Sequence, residues 1–151
     1  MKEVKIEAIS NGTVIDHITS GMALKVLGIL NVDLSSSTIS MAMNVSSKKY
    51  GKKDILKIEN MELKENDVNR IALIAPHASI NIIRNGDIAK KFKVELPDTI
   101  KGIVRCMNPG CISNVSNEPV EKTFQVIDKK TPVLKCKYCG REMREFLEYM
   151  V

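Results

Sequence analysis

Four cysteines constrain this 151-residue chain more than anything else in it. They fall as two pairs in the last third, Cys106-Met107-Asn108-Pro109-Gly110-Cys111 and Cys136-Lys137-Tyr138-Cys139. Loops of two or four residues let two sulfurs from one turn reach a single ion, and four thiolates suit zinc in a tetrahedron. Gly110 and Gly140 stand beside ligands and permit the positive φ that tight turns often need. Arg105, Lys135, Lys137 and Arg141 flank the pairs and offset the charge of four thiolates on one divalent ion. The segment from about residue 99 to 151 is too short to be stable on an apolar core alone, which is where metals are usually recruited. Four protein ligands leave no open position for water, so such a site is structural rather than catalytic.

Other cysteine chemistries compete. The start, Met1-Lys2-Glu3-Val4-Lys5, enters an alternating strand pattern and is not a targeting segment. A cytoplasmic chain is expected, and there thiols stay reduced, which disfavours two disulfides. A redox C-x-x-C would leave the other pair unexplained. Iron in the thiolate site is the serious rival, because sulfur ligands alone do not separate it from zinc. One structural zinc ion is the expectation.

No apolar run is long enough to span a membrane. A net charge of +5 and a pI near 9.0 permit nucleic-acid binding, and a zinc-ribbon nucleic-acid-binding protein is the alternative reading. Basic residues are interleaved with acidic ones, and no Trp with only three Tyr and three Phe offers little surface for base stacking. A mixed, solvated surface is the expectation, with neither nucleic acid nor membrane as partner.

The pattern ahead of the cysteines alternates strand and helix signals. Residues 4–9 read as a strand, and Asn11-Gly12 as a turn. Thr19 or Ser20 can cap a helix that places Met22, Val26, Leu27 and Leu30 on one face. Ile39, Met41, Met43 and Val45 alternate as a second strand, residues 46–53 form a polar, basic loop, and residues 54–60 a third strand. Val68, Ile71, Ala72 and Ala75 have helical spacing until Pro76. Residues 79–83 and 88–94 read as strands around an Asn85-Gly86 hairpin turn. The order predicts an α+β fold: an N-terminal antiparallel sheet with two helices on one face (ferredoxin-like, split βαβ). Its edges could pair with a second copy as a homodimer. Leu96-Pro97-Asp98-Thr99 marks the boundary between domains at residues 1–97 and 98–151. The rear domain is expected to be a small all-β zinc-binding unit, with Phe124, Val126 and Ile127 on a strand and residues 146–151 closing its sheet.

Among the polar residues ahead of the boundary, Asp16-His17 has no nucleophile motif beside it, and His17 alone reads equally as a turn or cap residue. His77, after Pro76, reads as a loop histidine. Strand lysines such as Lys57 and Lys91 usually face solvent. Together, Asp16, His17, Lys57 and Lys91 have the right types to hold a nucleotide: a carboxylate for ribose hydroxyls and cations for phosphates. There is no Walker A motif and no GxGxxG.

Several ordered runs resemble the regulatory chain of aspartate carbamoyltransferase over nearly the whole length. They are Ile6-Glu7-Ala8-Ile9, Gly12-Thr13-Val14-Ile15-Asp16-His17-Ile18, Lys53-Asp54-Ile55-Leu56-Lys57-Ile58-Glu59-Asn60 and Ala75-Pro76. The rear runs Cys106-Met107-Asn108-Pro109-Gly110-Cys111-Ile112-Ser113-Asn114 and Leu134-Lys135-Cys136-Lys137-Tyr138-Cys139 complete the set. The resemblance implies a non-catalytic subunit that binds CTP or ATP, with UTP a modulator in some members. It passes allosteric control of pyrimidine biosynthesis to catalytic chains and pairs with itself through the front domain. Carried over, Asp16 holds ribose, His17 and Lys91 contact phosphates, and Lys57 lies near ribose and base. Ala8, Ile9 and Val14 line the pocket, with backbone near Ile9 and Gly86 reading the base and Asn81 beside the site. Asn108 falls at the catalytic-chain interface. Gly86 and Lys90 depart from well-known relatives in the 85–91 hairpin, so effector selectivity does not carry over, and Gly110 departs at the interface.

Overall fold

Thr13, Ile15 and Ile18 are fully buried along a strand, β1 (Gly12–Thr19), that runs through the middle of a five-stranded sheet. The computed structural model describes residues 10–32, 35–48, 51–115 and 120–151, and the chain divides into two units between Val94 and Glu95. The strand expected at residues 4–9 lies outside the described residues. The expectation of a turn at Asn11-Gly12 is corrected, since Gly12 opens β1, and of the readings open for His17 a turn or cap falls away because it too belongs to β1.

A bulge breaks the alternation of β1. Its buried positions are 13, 15 and 18 rather than 13, 15 and 17, because the register slips between Ile15 and Ile18 and His17 turns to φ +58°. One extra residue in a bulge restores Ile18 to the buried face and breaks the two-residue period.

After β1 come α1 (Ala23–Ile29), β2 (Ile39–Ser47), β3 (Gly51–Glu59), α2 (Glu65–Ile74), β4 (Ser79–Arg84) and β5 (Asp87–Lys93). The sheet order is β2-β3-β1-β4-β5, antiparallel throughout. Met41, Leu56, Ile15, Ile80 and Phe92 form one transverse row across it. Leu56, Ile15 and Ile80 in that row are fully buried, as are Val26 of α1 and Ile71 of α2, and α1 packs on both α2 and β3. This layer is the core of the first unit. Asn85 at φ +53° and Gly86 at φ +82° make the two-residue connection of β4 and β5 a primed turn whose twist matches the hairpin.

Two expectations change here. The 46–53 segment is not all loop, since Ser46 pairs with Lys52 and Ser47 with Gly51, and polar side chains on one face do not prevent a backbone ladder. Neither Thr19 nor Ser20 caps α1 through its side chain. Instead the buried Asp54 carboxylate on β3 accepts N–H bonds from Gly21 at 2.8 Å and Ala23 at 3.0 Å, and its other oxygen accepts the Asn44 N–H at 2.7 Å.

The second unit is a four-stranded antiparallel sheet, β6 (Thr99–Lys101), β7 (Thr123–Asp128), β8 (Val133–Cys136) and β9 (Glu142–Met143), in that order. Ile100, Phe124, Leu134 and Met143 are its buried core. Residues 146–151 do not add the expected strand: Leu147–Tyr149 is a 3₁₀ turn, and only Val104 bridges Met150. The Arg105 guanidinium lies 4.7 Å from the Tyr149 ring and the Arg105 N–H bonds the Tyr149 carbonyl, so the end of the chain braces the residue before the first cysteine.

Candidate functional site

The four cysteines converge in the second unit. Cys136 ends β8, and the connection to β9 carries Cys139; Cys106 and Cys111 bracket a loop before a 3₁₀ turn, Ile112–Asn114. All four Sγ atoms lie within 4.8 Å of one another, with Cys106–Cys139 at 3.6 Å and Cys111–Cys136 at 3.7 Å. These separations exclude S–S bonds of about 2.05 Å. They match the roughly 3.8 Å edge of a sulfur tetrahedron whose metal–sulfur distance is about 2.3 Å. The donor set and its spacing fit one metal ion held by four thiolates.

The surrounding groups suit thiolates. The Asn108 N–H points at Cys106 Sγ (3.4 Å), and Ser113 Oγ lies 3.0 Å from Cys111 Sγ. Gly140 takes φ +77° in its turn, as expected, and its N–H bonds the Cys136 carbonyl. Gly110 does not adopt positive φ; its N–H closes a small turn onto Asn108 Oδ1 at 3.1 Å. Burial pushes the Cys106 thiol up to about 12 and raises Cys136 as well. At Cys139 the raising effect of burial is overcome by the Arg141 N–H and the side chains of Cys106, Asn108 and Cys136, which hold it at about 7.

These directions set the pH dependence of metal loading. Thiols must lose their protons to bind, and Cys106 and Cys136 are protonated in the neutral range without metal. Apparent zinc affinity should therefore rise by at least about a hundredfold per pH unit between about pH 6 and about pH 8, and more steeply below the Cys139 value. Chelator competition across that range measures the slope, and a change below tenfold per unit would contradict proton displacement from the two buried thiols.

In the first unit, the sheet face away from the core carries polar side chains. Lys57, Val14, Asn81 and Lys91 are direct neighbours across β3, β1, β4 and β5, so they form one transverse row. Directly opposed residues share a face at strand spacings of about 4.8 Å. The next row on the same face holds Asp16, Ser79 and Lys93. Asp16 Oδ1 accepts from Lys53 Nζ at 2.9 Å and from the His17 N–H at 2.6 Å. The bulge turns His17 so that its Nδ1 meets Ser79 Oγ at 3.0 Å. Asn81 Oδ1 is buried and has no hydrogen-bond partner among the described residues. Beside this face opens a cleft of about 390 Å³ whose walls include His17, Ser20, Gly51, Lys52, Lys53 and His77.

Residues 4–95 match the family model described as the allosteric domain of the aspartate carbamoyltransferase regulatory chain, and residues 98–146 match the model of that chain's metal-binding domain. The chain belongs to the aspartate carbamoyltransferase regulatory-chain family. It is 51% identical to the regulatory chain of Methanothrix thermoacetophila over 152 residues, covering 99% of this chain and 98% of the relative. Identity to the Thermococcus sibiricus regulatory chain is 54% over 96% of this chain and 95% of the relative. For the Pyrococcus abyssi regulatory chain the figures are 50%, 96% and 95%. A regulatory chain is a non-catalytic subunit of the carbamoyltransferase and associates with its catalytic chains.

Within this regulatory chain, Val14, Asp16, Lys57, Asn81 and Lys91 are brought to one sheet face, and His17 joins them from the bulge through Ser79. Gly86 lies further along, at the hairpin tip, where its N–H is taken by the Ser10 carbonyl at 2.8 Å. Ala8 and Ile9 lie outside the described residues. Asn108 is folded into its own loop beside the thiolates. Sequence reasoning missed Lys53 and His77 as neighbours of the site. Lys53 heads a family-like run within a segment that reads as a loop, and a loop histidine next to Pro76 gives no local sign of lining the same cleft as His17. No helix among the described residues is long and apolar enough to cross a membrane.

Proposed function

We propose that the chain is the cytoplasmic, nucleotide-sensing subunit that controls aspartate carbamoyltransferase in pyrimidine biosynthesis. Residues 1–97 bind CTP or ATP in competition, with UTP as a modulator, and residues 98–151 hold one structural zinc and dock on catalytic chains. The observation that carries this is the Lys57–Val14–Asn81–Lys91 row with Asp16 and His17 beside it. Val14 gives the base an apolar floor between two cations. Lys91 and His17 take phosphate oxygens, Asp16 takes ribose hydroxyls, and Lys57 reaches ribose and base. The unmatched Asn81 Oδ1 is available to a ligand N–H, and the Ala8–Ile9 backbone and Gly86 complete recognition of the base.

Regulation needs no bond-making. A nucleotide shifts a distant catalytic equilibrium only by binding one assembly state more tightly than another, typically by about 1–3 kcal/mol of coupling. Two regulatory chains pair through the open edges of the first unit's sheet, where β2 and β5 are the outer strands. In the second unit, Met107, Ile112 and Val115 are large apolar side chains left exposed near the first cysteine loop, and with Asn108 they form the docking surface.

Light scattering of the zinc-loaded chain mixed with catalytic trimers tests the assembly: a discrete particle much heavier than a trimer is expected, and two unmixed species would refute it. Lys91→Ala should weaken CTP and ATP binding by about tenfold, the scale of one charge-assisted contact, without changing that particle. Unchanged affinity in calorimetric titration would remove Lys91 from the site.

A further inference from the structure

The first cysteine loop has a second holder besides its two sulfurs. Asn114, the last residue of the 3₁₀ turn after Cys111, directs its side-chain amide back across the loop. Nδ2 donates to the Cys106 carbonyl at 2.8 Å and to the Asn108 carbonyl at 2.8 Å. A primary amide has two N–H donors, and both are used here on the backbone of one loop. Within the loop, the Cys111 N–H bonds the Asn108 carbonyl at 3.0 Å, the Gly110 N–H bonds Asn108 Oδ1 at 3.1 Å, and the Asn108 N–H makes a longer contact with Cys106 Sγ at 3.4 Å. The first two close the Asn108–Cys111 half on itself. The backbone of the other half is tied to the apex by Asn114, whose two 2.8 Å bonds are shorter than the one N–H to sulfur contact between the halves.

We propose that Asn114 is the positioning residue of the metal centre, fixing the Cys106–Cys111 loop so that its sulfurs stand ready at ligand spacing. Ligands that are already placed lose little conformational freedom when the ion binds, and they reseat quickly when one bond opens. Without the two amide bonds the entry of the loop keeps only the Arg105 N–H bond to the Tyr149 carbonyl before it and the Asn108 N–H contact to Cys106 Sγ, so it is looser and Cys106 leaves the ion more often. The inference rests on the four-thiolate reading of the site and adds to it a residue that touches no metal.

The chemistry supplies a test that separates positioning from space filling. Asn114→Asp keeps the shape but replaces the donating N–H groups with an oxygen that repels both carbonyls. Asn114→Ala removes the donors without adding repulsion, and Asn114→Ser offers one hydroxyl donor for two acceptors. Full-length chains loaded with zinc alone are challenged with excess chelator, and zinc release is followed with a colorimetric indicator. Release should be slowest for the unsubstituted chain, then faster in the order serine, alanine, aspartate, with alanine at least about tenfold faster than asparagine. Equal rates for all four, or aspartate holding zinc as well as asparagine does, would overturn the proposal. If the aspartate chain does not fold, the order of serine and alanine still decides, because a space-filling role predicts no benefit from the single donor. An unsubstituted chain that takes up no stoichiometric zinc would instead refute the metal reading itself.

Discussion

Replacing Cys136 with serine should remove stoichiometric metal binding, unfold the second unit and abolish association with catalytic chains. Cys136 is 1% exposed, ends the central strand β8 and pairs with Phe124 on β7, so its sulfur belongs to both the metal site and the core. A structural zinc contributes about 10–16 kcal/mol to folding at neutral pH, against a typical net stability of about 5–15 kcal/mol for a whole domain. Four short strands around Ile100, Phe124, Leu134 and Met143 do not make up such a loss. Amide hydrogen exchange should show lost protection on β6 to β9 and retained protection on β1 and β4, whose core is separate. Chelator treatment of the unsubstituted chain should reproduce the pattern. Protection on β7 and β8 as strong as in the zinc-loaded chain would mean that the apolar core holds the unit by itself. Cys139→Ser should be milder, because Cys139 is exposed and water can approach the ligand position it vacates.

The difference between what the sequence disclosed and what it concealed follows the range of the interactions. Signals written in neighbouring residues were legible. The cysteine spacings implied a four-sulfur cluster, Asn85-Gly86 implied a primed hairpin turn, and Pro76 implied the end of α2. From α1 to β5 the strand and helix order was legible because each element is amphipathic over its own length, whereas β1 was not. Interactions closed over long separations were not legible. The α1 N-terminus is held by Asp54, 31 residues beyond Ala23, so Thr19 and Ser20 looked like caps while the actual acceptor looked like an ordinary strand residue. The bulge at His17 destroyed the alternation that identifies a strand, and hid the backbone turn that aims His17 at Ser79. Lys53 looked like loop charge because only the folded sheet puts Asp16 beside it. At the end of the chain, aromatic and apolar residues implied a strand, but a single bridge to Val104 and the ring of Tyr149 over Arg105 satisfy them within a 3₁₀ turn.

The other large effect is expected at Asp54, whose carboxylate is used on backbone N–H groups. Its carboxylate is fully buried and accepts three backbone N–H groups, from the β1–α1 connection at Gly21, from Ala23 at the start of α1, and from Asn44 in the β2 bulge. Asn44 sits at φ +58°, a left-handed conformation that costs energy outside glycine and is held here by that bond, while its own Oδ1 accepts the Ser20 hydroxyl at 2.9 Å. In Asp54→Ala three donors lose their acceptor inside the protein, and each unsatisfied group costs about 1–3 kcal/mol. A total loss of about 3 kcal/mol or more corresponds to at least about 12 °C in the melting of a domain this size. Asp54→Asn should also destabilise, by less, because one amide oxygen can still accept but the NH2 group then faces a backbone N–H. Ser20 and Lys53 both line the cleft beside the polar face and are chain neighbours of the tied segments, so affinity at the proposed nucleotide site should fall with stability in both variants. Calorimetric scans of the full chain read the first effect and nucleotide titrations at a temperature below both transitions read the second. A melting shift of only a few degrees in Asp54→Ala would show that water reaches the three N–H groups and that the carboxylate does not hold the walls of the cleft together.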